Sequence, residues 1–191
     1  MSLKPFNKLP ELNTANVLLV ENEALFQEKL ADAIVLLENN VNVKVRLARS
    51  LPLPLENAEN RPRIDLVAFI VHLNSEQSLL SAEASLKHLD SGYFLGKVCF
   101  LVTGARCGTL PYERLTSLKK MAATLNSPLL MAEDKTAEGV NAAAQRVLAV
   151  LRVAAGLVPT ATGLSLSSLT RCTVAKDPDW QNEDRSHLNQ P

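Results

Sequence analysis

The chain has 191 residues, enough for one domain that buries about 70% of the surface its unfolded form would expose. Hydrophobic residues make up 47% but aromatics only 4%, so the core has to be built from Leu, Val, Ile and Ala. Equal numbers of basic and acidic side chains, 20 of each, leave no net charge. That argues against a partner gripped through phosphate electrostatics, such as DNA on a basic face.

Cys99, Cys107 and Cys172 form no C-x-x-C pair, which speaks against a disulfide framework or a Cys-based zinc site and for reduced thiols. Residues 1–8 lack the apolar run of a signal peptide, and no apolar stretch approaches the ~20 residues needed to cross a bilayer. The last four residues, Leu188 to Pro191, are not a prenylation box. A soluble intracellular protein is expected.

In chain order, residues 1–14 read as an irregular lead-in with Pro5 and Pro10. Val17 to Val20 is a short apolar run, as in a strand covered on both faces. A helix over Glu23 to Glu38 follows, with Phe26, Leu30, Ala33, Ile34 and Leu37 on one face, stopped by Asn39-Asn40. Val41 to Leu47 alternates strictly and predicts a strand with one wet face. In Ser50 to Leu55 two prolines in three residues exclude helix and central strand. The alternating Leu51, Leu53 and Leu55 either cover the domain's own core or face a partner.

Ile64 to Val71 is the most apolar run and predicts a central parallel strand, with Asp65 at its start paired to Arg61 or Arg63. Asn74 or Ser75 caps a helix that buries Leu79, Ala82, Leu86 and Leu89 and ends at Ser91-Gly92. Val98 to Thr103 is a further buried strand, Gly104 to Leu110 a loop, and Pro111 sits where the first helical turn favours it. A third helix carries Leu115, Leu118, Met121 and Leu125. Leu129 to Met131 is a short strand, and Ala137 to Ala155 a last helix closed by Gly156. This order predicts an α/β three-layer sandwich with a mainly parallel sheet of about five strands. The domain spans 1–160. The tail, 161–191, is expected to dock in part through Leu164, Leu166 and Leu169 and then to be disordered.

The stretch from Ala15 to Lys29 has the strand-turn-helix layout of a phosphate loop, which would read G-x-x-x-x-G-K-[ST]. Glu21 and Phe26 stand in the glycine slots, Gln27 in the Lys slot and Glu28 in the Ser/Thr slot. Losing the Lys and adding a carboxylate swings the local charge by two units. At ~4 Å and an effective dielectric of ~20 that is about 8 kcal/mol against a phosphate. A carboxylate beside a helix N-terminus also has a plain structural use.

The other stations of a GTPase are empty as well. Only Asn39-Asn40 is left for a switch I loop. No Thr lies between Ala15 and Val102, no Asp or Gly between Lys44 and Arg63, and Gly104 to Cys107 and Glu133 to Lys135 replace the guanine-reading motifs. His72 follows a buried strand and reads as a hydrogen-bonded structural residue rather than a base, and Cys99 as core. Cys107 sits beside Arg106, which favours a thiolate, but no base can be assigned to it. No catalytic residue, metal or cofactor is expected.

Four strings carry a resemblance that spans about 1–170: Lys8 to Ala15, Leu47 to Pro54, Arg61 to Leu66 and Phe94 to Leu101. Together they resemble the centromere protein M family. The resemblance implies a small-GTPase-like fold that neither binds GTP nor switches, in a structural subunit of the constitutive centromere-associated network. It implies contact with centromere protein I, in a complex with centromere proteins H and K, at the kinetochore in the nucleus. It fixes no partner-binding residues; Leu51, Leu53, Leu55, Arg106 and Leu110 are the candidates from position alone. The competing expectations are a divergent nucleotide-binding enzyme and a Rab-like trafficking adaptor.

Overall fold

The computed structural model describes residues 3–5, 8–23, 26–54, 61–104, 112–159 and 161–163. Its elements are β1 (Thr14–Val20), α1 (Gln27–Leu37), β2 (Asn42–Ala48), β3 (Leu66–His72), α2 (Glu76–Leu86), β4 (Val98–Thr103), α3 (Tyr112–Thr124), β5 (Leu129–Met131) and α4 (Ala137–Ala154). The five strands form one parallel sheet in the order β2-β1-β3-β4-β5. The α/β sandwich expected from the alternation is therefore present.

Every residue of β1, β3 and β4 is buried, which is why these strands read as unbroken apolar runs: helices cover the sheet on both sides. On one side Phe26, Leu30 and Ile34 of the α1 region pack with Val140, Ala144, Val147 and Leu151 of α4 against Val17, Leu19 and Leu66. On the other, Leu79 and Ala82 of α2 and Leu115 and Leu118 of α3 pack against Leu18, Val67, Phe69 and Phe100. β2 is an edge strand: Val43 and Val45 lean on the α1–α4 layer while Asn42 and Arg46 are exposed, but Leu47, expected on the covered side, is 44% exposed toward the strand's end. Cys99 lies wholly inside, and burial pushes its thiol up to about 12, so it is an inert core residue.

Three expectations change. The first helix starts at Gln27 rather than Glu23, and its first N–H groups are taken by a side chain described below. The second helix ends at Leu86, not at Ser91-Gly92. There the lead-in is not irregular throughout: Leu3 forms a parallel bridge with Leu89, exchanging hydrogen bonds with His88 and Asp90 and drawing the chain out of the helix. Ser91–Phe94 then forms a single 3-10 turn, capped by Asp90.

Leu51 is buried in the α2–α3 layer, with its N–H donated to Ser85 Oγ at 3.0 Å, and Leu53 packs on the same layer. The Leu-Pro segment thus covers the domain's own core there, and Leu51 offers no surface to a partner. Leu55, Arg106, Cys107, Leu110, Pro111 and the tail from 164 onward lie outside the described residues. Just before them, Gly163 lies against Gly96, whose φ of +86° and backbone contact leave no room for a Cβ on either residue.

Candidate functional site

In an open parallel sheet, ligands bind beyond the carboxyl ends of the strands, where the strand order reverses. Here that point lies between β1 and β3, and three residues end the neighbouring strands there: Glu21 after β1, His72 closing β3 and Thr103 closing β4.

Glu21 is fully buried. Its carboxylate accepts the N–H of Phe26 at 2.9 Å on Oε1 and 3.0 Å on Oε2, and the N–H of Gln27 at 2.7 Å on Oε2. These are the orphan donors of the first turn of α1, whose own N-cap residue, Phe26, supplies no side-chain bond. His72 Nε2 lies 2.5 Å from Glu21 Oε1, and His72 Nδ1 lies 2.5 Å from Thr103 Oγ1. The main-chain N–H of His72 is fixed by Ser78 Oγ at 3.0 Å, which ties the ring's strand to α2.

The charges agree with this geometry. Burial alone would push the Glu21 carboxyl up, but the His72 hydrogen bond and the N–H groups of Gln27 and Phe26 outweigh it and hold it below the usual carboxylate value. Burial likewise works against a charged His72. Glu21, with a smaller contribution from Glu23 and Asp134, overcomes it and raises the imidazole above its ordinary value. The two form a buried histidine–carboxylate pair, with Thr103 Oγ1 at the second ring nitrogen. Both ring nitrogens of His72 have hydrogen-bond partners, as the sequence suggested.

Of the four phosphate-loop positions, the structure brings Glu21, Phe26 and Gln27 together and leaves Glu28 exposed. Phe26 fills core space in place of a glycine, and Gln27 is buried in place of the lysine. Glu21 needs a correction. It is not merely an acidic residue in the turn; its carboxylate takes the first N–H groups of α1. Sequence reasoning missed that Glu21 and His72 meet. The signal was available, since both residues sit at carboxyl ends of strands that the topology makes neighbours.

Between α1 and β2, residues 38–41 make a turn held by the buried Glu38. Its Oε1 accepts from Asn40 N at 2.9 Å and Val41 N at 3.2 Å, and its Oε2 binds Arg152 of α4 at 2.9 and 2.5 Å. Burial opposes the charge on Glu38, but Asn40, Arg152 and Val41 hold its carboxyl below the usual value. At the amino ends of β1 and β3, Asp65 pairs with Arg63 Nε at 2.7 Å, as the sequence led us to expect, and also takes the N–H of Asn16 at 2.9 Å. Among the described residues no cluster of His, Cys, Asp and Glu could hold a metal ion, and no helix is long and apolar enough to cross a membrane.

The family model for Centromere protein M (CENP-M) matches residues 1–173. The chain belongs to the centromere protein M family. Curated members of that family include the Danio rerio protein, 60% identical over 92% of this chain and 95% of its own length. The Homo sapiens protein is 46% identical over 88% and 93%, and the Xenopus laevis protein 41% identical over 92% and 98%. Among solved structures, the cytosolic domain of a T. maritima FeoB iron transporter in its GMPPNP form aligns at 15% identity with a TM-score of 0.42. It covers 73% of this chain and 64% of that one, too distant a likeness to bear on function.

Proposed function

We propose that this chain is a non-catalytic structural subunit of the inner kinetochore, within the constitutive centromere-associated network. It binds centromere protein I directly, in a complex with centromere proteins H and K, and it binds and hydrolyses no GTP. It works in the nucleus, at the centromere, in kinetochore assembly and chromosome segregation. Membership of the centromere protein M family carries this reading.

Two features of the chain support it. No lysine stands where a phosphate loop needs one, since Gln27 is there, and the crevice at the strand ends holds a buried carboxylate. The closed turn at 38–41 leaves no loop to sense a γ-phosphate. Such a domain has one state and acts by offering a surface.

Mixing the purified chain with a complex of centromere proteins H, I and K and passing it over a size-exclusion column should give an equimolar co-eluting peak. Separate elution would overturn the reading. Calorimetric titration with GTP, GDP or ATP should release no binding heat, and a micromolar dissociation constant would restore the divergent-enzyme alternative.

A further inference from the structure

We infer that the free edge of β2 is a docking site for an extended segment of another protein in which apolar and acidic residues alternate. β2 ends the sheet and pairs with β1 alone. Asn42 N donates to Asn13 O at 2.9 Å and Ala48 O accepts from Glu21 N at 3.0 Å, so the even-numbered residues of β2 turn their main chain toward β1. In a parallel ladder the alternate residues turn theirs the other way. The N–H and C=O groups of Val43, Val45 and Leu47 therefore line the open edge, and among the described residues no further hydrogen bond falls on them. An unpaired edge of this kind is a template for one more strand.

The two faces of β2 set the chemistry of that strand. Toward the α1–α4 layer lie Val43 and Val45, both half-buried, and the more exposed Leu47; an added strand would cover them with apolar side chains placed opposite. Asn42, Lys44 and Arg46 occupy the other face, which Ala48 assigns to the α2–α3 side. A single carboxylate answers the two cations there. Glu11 pairs with Lys44 at 2.6 Å, while Arg46 is exposed and has no partner among the described residues. Like charges opposite one another across a ladder are unfavourable. This face therefore disfavours a second copy of β2, whose Lys44 and Arg46 a two-fold axis would bring to the same side. The chain's own tail does not fit either, since from residue 164 it carries Arg171 and Lys176 and no carboxylate before Asp177. Acidic residues at every second position do fit. The inference goes beyond the kinetochore reading and does not rest on it.

The test titrates the nitrogen-15-labelled full chain, at low ionic strength, with blocked peptides the length of β2. One alternates valine and glutamate, a second has lysine in place of glutamate, and a third repeats the first with every peptide N–H methylated. The valine–glutamate peptide should shift the amide signals of Val43, Val45 and Leu47 saturably and leave those of Leu129 to Met131, in the strand at the opposite edge, unmoved. Arg46→Glu replaces an attraction by a repulsion and should raise the dissociation constant about ten-fold. Val45→Pro removes one outward N–H and no bond to β1, and should weaken binding as well. No saturable shift at these amides, an equal response to the lysine or the methylated peptide, or unchanged binding by Arg46→Glu overturns the inference. So does sedimentation of the chain alone as a dimer that Val45→Pro dissociates, because the edge then pairs with a second copy. Arg46 is exposed, so its variant reads the claim even where Val45→Pro does not fold.

Discussion

The two ends of the β1–β3 strand pair are both closed by a buried carboxylate, and they differ in what neutralises it. At the amino end, Asp65 joins the strands by accepting the N–H of Asn16, and its charge is met by Arg63, two residues away on its own strand's approach. At the carboxyl end, Glu21 joins β1 to α1 through two N–H groups and to β3 through His72, 51 residues away. A guanidinium keeps its charge at every accessible pH, whereas an imidazole does not. The amino end is therefore a permanent, local clasp. The carboxyl end is a long-range one whose strength depends on protonation, placed where related architectures put a ligand.

The largest effect should come from Glu21→Ala. It leaves the buried His72 ring and two N–H donors without their acceptor, so urea denaturation should register a loss of about 3–5 kcal/mol in a chloride buffer. Asp65→Ala should cost less, about 1–3 kcal/mol. It orphans the N–H of Asn16, but Arg63 is partly exposed and can turn to water. Equal losses at the two ends would erase the distinction. Thr103→Val removes only the hydroxyl at His72 Nδ1 and should cost about 1 kcal/mol.

The pH dependence sharpens the contrast without a fixed magnitude. The His72 pKa is raised on folding, so its contribution is complete below its ordinary value of 6.5 and is lost as pH rises through the folded value above that. The Glu21 pKa is lowered, so its contribution is complete above 4.5 and is lost as pH falls through the folded value below that. Urea midpoints should be highest between these limits and decline on the alkaline side. In Glu21→Gln that alkaline decline should shrink, while in Asp65→Ala it should persist. A decline unchanged in Glu21→Gln would place its origin elsewhere.

Much of this was legible in the chain. Val98 to Thr103 and Leu129 to Met131 were bounded to the residue, since continuous apolar runs leave strands covered on both faces no other partner. Ser75 was readable as a cap, and its side chain accepts the N–H of Ser78 as such a residue should. The start of α1 was not. From Glu23 onward the helical spacing is unbroken, yet the helix starts at Gln27, where the Glu21 carboxylate takes the N–H groups five and six residues ahead, a local grip that apolar spacing does not encode. The end of α2 was not legible for a different reason, because the competing hydrogen bonds come from Leu3, far away in sequence. The Leu-Pro segment stood between two readings until Leu51 was seen inside the protein.

What the sequence determined by itself was the layering of the sheet and the absence of a G-x-x-x-x-G-K-[ST] run between β1 and α1, because periodicity and residue identity are local facts. What only the tertiary structure decided was which carboxylate takes the first N–H groups of α1. That answer depends on which strand ends become neighbours, and so on Glu21, His72 and Thr103 meeting across three strands. Low local dielectric makes such an encounter count, since buried donors without an acceptor are unfavourable and the nearest available carboxylate belonged to the chain itself.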